Sequence, residues 1–306
     1  MRILRIGTRK SELALWQARW VQQRIQAAFP DIDVQLVTMD TKGDRNLQTP
    51  LPSVADKGFF TAEIEAALYA EEVDIAVHSL KDLPTEMPVD LEIGAYCERE
   101  EPRDVFLGKD GVSFSELPLG ARVGTSSLRR TAQIKRLRPD ITCVDVRGNL
   151  NTRWRKLQEG DTMDGIVLAA AGVYRLGWQD KVSEIFSSTS ILSAPGQGIV
   201  AVENLTHRED LKEVLATLNH KPSEFAARTE RSFLAALDGG CQTPLGAFAT
   251  CVDGIIELQG AVFSLDGSEM VRVVGTGNTP EQVGLKAAYD ALSHGASDIL
   301  AAIRNK

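Results

Sequence analysis

Apolar positions recur along this chain with two different periods, and the alternation between them predicts the elements. Ile3 to Gly7 reads as a strand. From about Leu13 to Phe29 the apolar residues fall at helical spacing, with Ser11 placed to cap that helix. Val34 to Asp40 is strand-like again. A loop holding Lys42-Gly43-Asp44 and Lys57-Gly58 leads to a helical stretch over Thr61 to Glu71. Asp74-Ile75-Ala76-Val77 is a short apolar strand that runs into His78-Ser79-Leu80-Lys81-Asp82-Leu83-Pro84. This βαβαβ order predicts a parallel sheet with helices on both faces.

The pattern then repeats. Arg122-Val123-Gly124 ends a strand, and Leu128 to Leu137 is a helix stopped by Pro139. Thr142 to Val146 is a strand, Thr152 to Gln158 a helix, and Gly165 to Ala171 another buried strand. The chain is expected to cross from a first lobe to a second near Cys97 to Arg103. It is expected to return near Ser193-Ala194-Pro195-Gly196-Gln197-Gly198, a Gly/Pro-rich hinge. Beyond a helix from about Ser223 to Leu237, β-rich runs meet at Asp253-Gly254 and Asp266-Gly267, and helical pattern resumes at Pro280. The expected fold class is therefore α/β. Two doubly wound lobes, resembling periplasmic-binding-protein-like solute binders, precede a smaller α+β domain with an antiparallel three-stranded sheet. The expected partition is 1–97 with 199–217, then 98–198, then 218–306.

Composition narrows the chemistry. The 306 residues are 43% hydrophobic, enough for two or three cores. The four cysteines contain no Cys-x-x-Cys pair, and the four histidines no pair at helical ligand spacing, so no metal site is expected. The first residues lack the apolar stretch of a signal peptide and no segment could span a bilayer, so a reduced cytoplasmic protein without a membrane partner is expected. A formal net charge of -8 argues against nucleic acid.

Against that acidic background, cations gather at the predicted carboxyl ends of the strands, where ligands sit in open α/β sheets. Thr8 and Arg9 follow the first strand, and Lys81 follows the strand ending at Val77. Thr125, Ser126, Ser127, Arg129 and Arg130 follow Gly124, Arg147 and Arg153 follow Val146, and Arg175 follows Ala171. Arg129 and Arg130 fall in the first turn of a helix, where the macrodipole disfavours cations unless an anion is bound there. The expected ligand carries several carboxylates or phosphates; no Gly-x-x-x-x-Gly-Lys or Gly-x-Gly-x-x-Gly run is present to indicate a nucleotide. Asp82, an acid at the mouth of this basic region, either holds Lys81 or stabilises a developing cation. Cys241, after Gly239-Gly240, is either a small buried hydrophobe or an accessible thiol that carries a group covalently. Cys97, Cys143 and Cys251 lie in or beside apolar runs and read as packing.

Further runs stand out in order: Gly7-Thr8-Arg9-Lys10-Ser11 with Leu15-Trp16-Gln17, Lys57-Gly58-Phe59-Phe60, and His78 to Pro84. Glu98 to Asp104, Gly124 to Arg130, Arg147-Gly148-Asn149, Pro195-Gly196-Gln197-Gly198 and Gly239-Gly240-Cys241-Gln242 follow. On these runs together the chain resembles the porphobilinogen deaminase (hydroxymethylbilane synthase) family along nearly its whole length. The resemblance implies a monomeric transferase that joins four porphobilinogen molecules head to tail, each losing ammonia, on a dipyrromethane cofactor attached to Cys241 by a thioether. The released hydroxymethylbilane would pass to downstream tetrapyrrole synthesis. By the same resemblance Asp82, Arg9, Arg147 and Arg153 serve catalysis. Lys81, Ser79, Thr125, Ser127, Arg129 and Arg130 hold the cofactor, and Ser11, Gln17, Lys57, Phe60, Arg175 and Gln197 handle substrate. The chain departs from common family residues at Ser53, Asn151 and Glu12. Two rival readings are a carboxylate-binding module without chemistry, and a cysteine hydrolase pairing Cys241 with a distant base such as His78.

Overall fold

The computed structural model describes residues 2–45, 61–238 and 243–304. The first stretch forms β1 (Arg2–Arg9), α1 (Glu12–Ala28), β2 (Ile32–Met39) and a short α2 (Lys42–Arg45). Then come α3 (Ala62–Tyr69), β3 (Ile75–Ser79), β4 (Leu91–Tyr96), β5 (Asp104–Gly108), β6 (Arg122–Gly124), α4 (Leu128–Leu137) and β7 (Thr142–Val144). They are followed by α5 (Leu150–Glu159), β8 (Gly165–Ala169), α6 (Ala170–Arg175), β9 (Glu184–Ile185), β10 (Val200–Leu205), α7 (Lys212–Leu218) and α8 (Lys221–Ala236). The chain ends with β11 (Leu245–Val252), β12 (Ile255–Phe263), β13 (Met270–Gly277), α9 (Pro280–Ala291) and α10 (Ser297–Arg304).

Two units result, one of residues 1–100 with 198–224 and one of 101–197 with 225–306. The first holds a five-stranded sheet in the order β2-β1-β3-β10-β4. Side chains of β3 alternate across it as a strand requires. Ile75 and Val77 join the core under α1 and α7, while Ala76 joins Ile64 and Leu68 of α3 on the other face. The second unit holds a sheet ordered β7-β6-β8-β5-β9 and, separately, the antiparallel sheet β11-β12-β13. The expected α/β architecture and three-stranded antiparallel sheet are thus both present.

The strands of the two alternating runs pair in parallel as expected, β1 with β2 and β3, and β6 with β7 and β8; strands outside those runs make both five-stranded sheets mixed. β10 runs antiparallel to β3 and to β4, and β5 runs antiparallel to β8. A parallel neighbour needs a crossover that carries the chain back to the opposite edge of the sheet. β10 has none, because it starts two residues after Gly198 and lies with Val200 opposite Ser79, the last residue of β3. In the same way Asp104, the first residue of β5, lies opposite Ala169, the last residue of β8. Both inserted strands therefore begin at the sheet edge where the parallel strands end.

The three-stranded sheet packs Ala247, Ile256, Leu258 and Val262 against Phe233 of α8 and Ala287 and Ala291 of α9. Gly260 exists in β12 because the Phe233 ring lies directly over it. A Cβ there would fall 2.5 Å from that ring. Gly260→Ala is expected to cost about 1–3 kcal/mol through overpacking. A urea titration should show a lower midpoint with an unchanged slope.

Candidate active site

In the first unit β1 and β3 are parallel and end at the same edge. Arg9 closes β1. Ser11 caps α1, its hydroxyl accepting the Ala14 N–H at 3.3 Å, as its sequence position anticipates. Gln17, buried on α1, donates from Nε2 to Ser79 Oγ at 2.9 Å and so holds the end of β3. The chain continues into one 3₁₀ turn, Leu80–Asp82, with the Leu80 N–H donating to Ile199 O at 3.0 Å. Leu80 is buried and anchors the turn, and Pro84 keeps Leu83 extended and so stops it. Lys81 is left half-buried and Asp82 exposed. Asp82 has no hydrogen-bond or ion-pair partner among the described residues, so its carboxylate is available to a ligand.

His78 is one residue from Ser79 but points away from this edge. Its Nε2 lies 3.1 Å from Glu203 Oε2 of β10, and both side chains are buried. Buried and paired inside its own sheet, His78 is not exposed to serve as a general base, which removes the base named for the cysteine-hydrolase reading.

In the second unit β6 and its parallel neighbours β7 and β8 likewise end together. Ser127 caps α4 by accepting the Arg130 N–H at 3.4 Å. Thr125, buried, accepts the Ser127 N–H at 3.2 Å, and Ser126 Oγ donates to Val146 O at 2.7 Å. Arg129 and Arg130 enter the first turn of α4, and both are buried. The anion that offsets their clash with the helix dipole comes first from the protein itself. Asp104, 0% exposed, lies 2.8 Å from Arg129 Nη1 and 2.7 Å from Arg130 Nη2. Burial alone would raise the Asp104 pKa, but the two guanidinium charges and their hydrogen bonds overcome it and hold the carboxyl far below the ordinary range.

Arg147-Gly148-Asn149 forms the turn between β7 and α5. Asn149 caps α5 by accepting the Thr152 N–H at 2.9 Å. Gly148 adopts φ +113, and a Cβ there would meet Thr152 at 2.6 Å, so only glycine fits. Arg153 of α5 donates from Nε to Gly148 O at 2.8 Å and braces the same turn. Arg147 is itself buried, and its Nη1 has no hydrogen-bond partner among the described residues. Arg175 sits six residues beyond β8, because the expected strand to Ala171 gives way to α6 at Ala170; it is buried in the last turn of α6, where the dipole favours a cation. Gln197 is buried and donates from Nε2 to Asp104 Oδ1 at 2.9 Å and to Pro102 O at 2.7 Å.

Among the described residues of this unit, the buried charged side chains are Arg129, Arg130, Arg147, Arg175, Asp104 and Glu230. Glu230 accepts the Gly196 and Ala249 amides at 2.6 and 2.7 Å, whereas Asp104 serves both Arg129 and Arg130. A buried cation surplus with a free Arg147 N–H fits a ligand bearing several carboxylates. Among the described residues no group of three or more Cys, His, Asp or Glu side chains is placed to hold a metal ion. Cys241, Lys57, Phe60 and the departure at Ser53 lie outside the described residues. Asp104, which meets Arg129, Arg130 and Gln197, was not singled out in the sequence reading. Its signal was a carboxylate opening the wholly apolar run Val105-Phe106-Leu107, a position that demands a buried cationic partner.

Comparison with known proteins completes the description. The family model "Porphobilinogen deaminase, dipyromethane cofactor binding domain" matches residues 4–213, and "Porphobilinogen deaminase, C-terminal domain" matches residues 225–293. The chain is 53% identical over 301 residues to Porphobilinogen deaminase of Desulfitobacterium hafniense, covering 98% of this chain and 97% of that one. It is 48% identical over 301 residues to Porphobilinogen deaminase of Carboxydothermus hydrogenoformans, covering 98% and 96%. Among solved structures it is similar to the periplasmic aliphatic sulphonate binding protein SsuA from Escherichia coli, with 16% identity, 77% and 70% coverage and a TM-score of 0.40.

Proposed function

The chain belongs to the porphobilinogen deaminase family, and from that premise we propose that it condenses four porphobilinogen molecules head to tail, with loss of ammonia, into hydroxymethylbilane. The observation that carries the proposal is the surplus of buried arginine at the edge where β6, β7 and β8 end. Porphobilinogen and every pyrrole derived from it bear an acetate and a propionate, the anions such an edge requires. Dipyrromethane, when bound, supplies the terminal pyrrole to which incoming units are joined.

The residue roles proposed with it rest on family membership and, for the described residues, are supported by their position near the strand ends. Cys241 attaches the cofactor through a thioether. Lys81, Ser79, Thr125, Ser127, Arg129 and Arg130 hold its carboxylates, with Gln17 keeping Ser79 in place through their 2.9 Å hydrogen bond. Arg9, Arg147 and Arg153 orient substrate carboxylates at the strand ends, and Arg153 also braces the turn that presents Arg147. Asp82, exposed at the tip of its turn, stabilises positive charge on the substrate as ammonia leaves and exchanges the proton. Ser11, Lys57, Phe60, Arg175 and Gln197 complete the substrate-handling set. Glu12 opens α1 and Asn151 lies on the outer side of α5; both are exposed, and neither alters these roles. No described helix is long and apolar enough to cross a membrane. The free thiols of Cys97, Cys143 and Cys251 support a reduced cytoplasmic setting. A monomer that releases its product to the next tetrapyrrole enzyme completes the reading.

Intact-mass measurement under denaturing conditions tests this directly. The purified protein is expected to exceed its bare 33.3 kDa, with the added mass mapped to the peptide containing Cys241. It should also convert porphobilinogen to a linear tetrapyrrole. A bare chain with no such conversion would overturn the proposal.

A further inference from the structure

We propose that Asp104 is a positioning residue for the cofactor clamp, setting the orientation of Arg129 and Arg130 before any ligand carboxylate arrives. The proposal rests on the assignment of those arginines to the cofactor. Asp104 stands at the start of β5, and because β5 runs antiparallel to β8, that start lies opposite Ala169, where β8 ends. An acid is thereby built into the edge occupied by the cations. Oδ1 accepts from Arg130 Nη2 at 2.7 Å and from Gln197 Nε2 at 2.9 Å, while Oδ2 lies 2.8 Å from Arg129 Nη1.

Each guanidinium is fixed a second time by a backbone carbonyl: Arg129 Nη1 donates to Leu192 O at 2.6 Å, and Arg130 Nη1 to Val167 O at 3.0 Å. These contacts leave Arg130 Nε buried without a hydrogen-bond partner among the described residues. One carboxylate between two guanidiniums cancels a single charge, so one positive charge and a directed N–H remain for a ligand. A second acid would neutralise the clamp. With no acid, two like charges would be buried side by side, and each would favour a different orientation. Asp104 therefore lowers the cost of holding the clamp in its binding geometry while preserving its affinity for anions.

The test compares Asp104→Asn with Glu230→Gln in the full-length protein, scoring adduct occupancy by intact mass on the folded, gel-filtered fraction. Glu230 is also 0% exposed and accepts the Gly196 and Ala249 amides, so its variant reports the effect of losing a buried carboxylate elsewhere in the same unit. Asp104→Asn is expected to reduce occupancy by roughly tenfold or more, the scale of one lost charge-assisted hydrogen bond. Glu230→Gln should lower the denaturation midpoint yet keep full occupancy, and Asp104→Glu should fall between wild type and Asp104→Asn. Full occupancy in Asp104→Asn, or equal losses in both variants, overturns the proposal. If Asp104→Asn yields no folded protein, Asp104→Glu decides: reduced occupancy upholds the positioning role and full occupancy overturns it. A wild-type protein of bare mass would instead overturn the assigned function itself.

Discussion

Asp82→Asn is expected to fold like the wild type, keep the covalent adduct and lose about a thousandfold in turnover. The folding half follows from exposure, because Asp82 lies at the tip of a turn anchored by buried Leu80 and carries no bond among described residues that Asn would break. Substitutions at such positions usually change stability by under about 0.5 kcal/mol. The catalytic half follows from charge. A carboxylate about 4 Å from a cation at an effective dielectric of about 20 contributes about 4 kcal/mol. That interaction exists only once positive charge develops on the substrate, so its loss falls on the rate rather than on binding. Asn keeps the shape and the hydrogen bonds but not the charge. Single-turnover measurement of ammonia release is the appropriate check, and a rate within a few-fold of wild type would exclude Asp82 as the chemical residue.

Cys241→Ser is expected to leave the bare chain mass and reduce bilane formation to background. A thiolate is a far better nucleophile than a serine hydroxyl, and no adjacent histidine is present to activate the hydroxyl. The same variant should be less stable than wild type. Arg129, Arg130 and Arg147 are buried, with Asp104 paired to the first two, and on the proposed function cofactor carboxylates supply the remaining compensation. Their removal should cost about 3–5 kcal/mol if one buried pair is fully broken, and less if water enters. Thermal denaturation of the two purified proteins measures this. Equal midpoints together with normal bilane synthesis would be incompatible with a tethered cofactor. A further contrast is chemical: an alkylated Cys241 in the wild type should resist iodoacetamide, since its sulfur is already occupied.

Asp104 also sets how its arginine pair responds to pH. Its carboxylate is held well below the ordinary range, so its contribution to stability is present above its unfolded pKa of about 4 and is lost as pH falls toward the depressed folded value. Asp104 therefore stays ionised between the two guanidinium groups throughout the neutral and mildly acidic range.

Much of this protein could be read from its residues in order, because helices and turns are decided within a few positions. Ser11 caps α1 and Ser127 caps α4 through bonds spanning three residues. Pro139 ends α4 near Leu137, and Arg147-Gly148-Asn149 makes a turn whose glycine and cap act within four residues. The cationic strand ends were equally legible, since an acidic chain that places arginine after one strand after another reveals a ligand edge without any knowledge of distance. What the tertiary structure alone decided is which strands lie side by side and what meets in the interior. β10 pairs with β3 across more than a hundred residues, antiparallel and outside the local βαβαβ alternation. Arg129 and Arg130 meet Asp104 from some 25 positions away, and His78 meets Glu203 across 125. Local periodicity carries no information about such partners. Their choice is made when the sheets close and every buried charge must find a counter-charge or remain a cost.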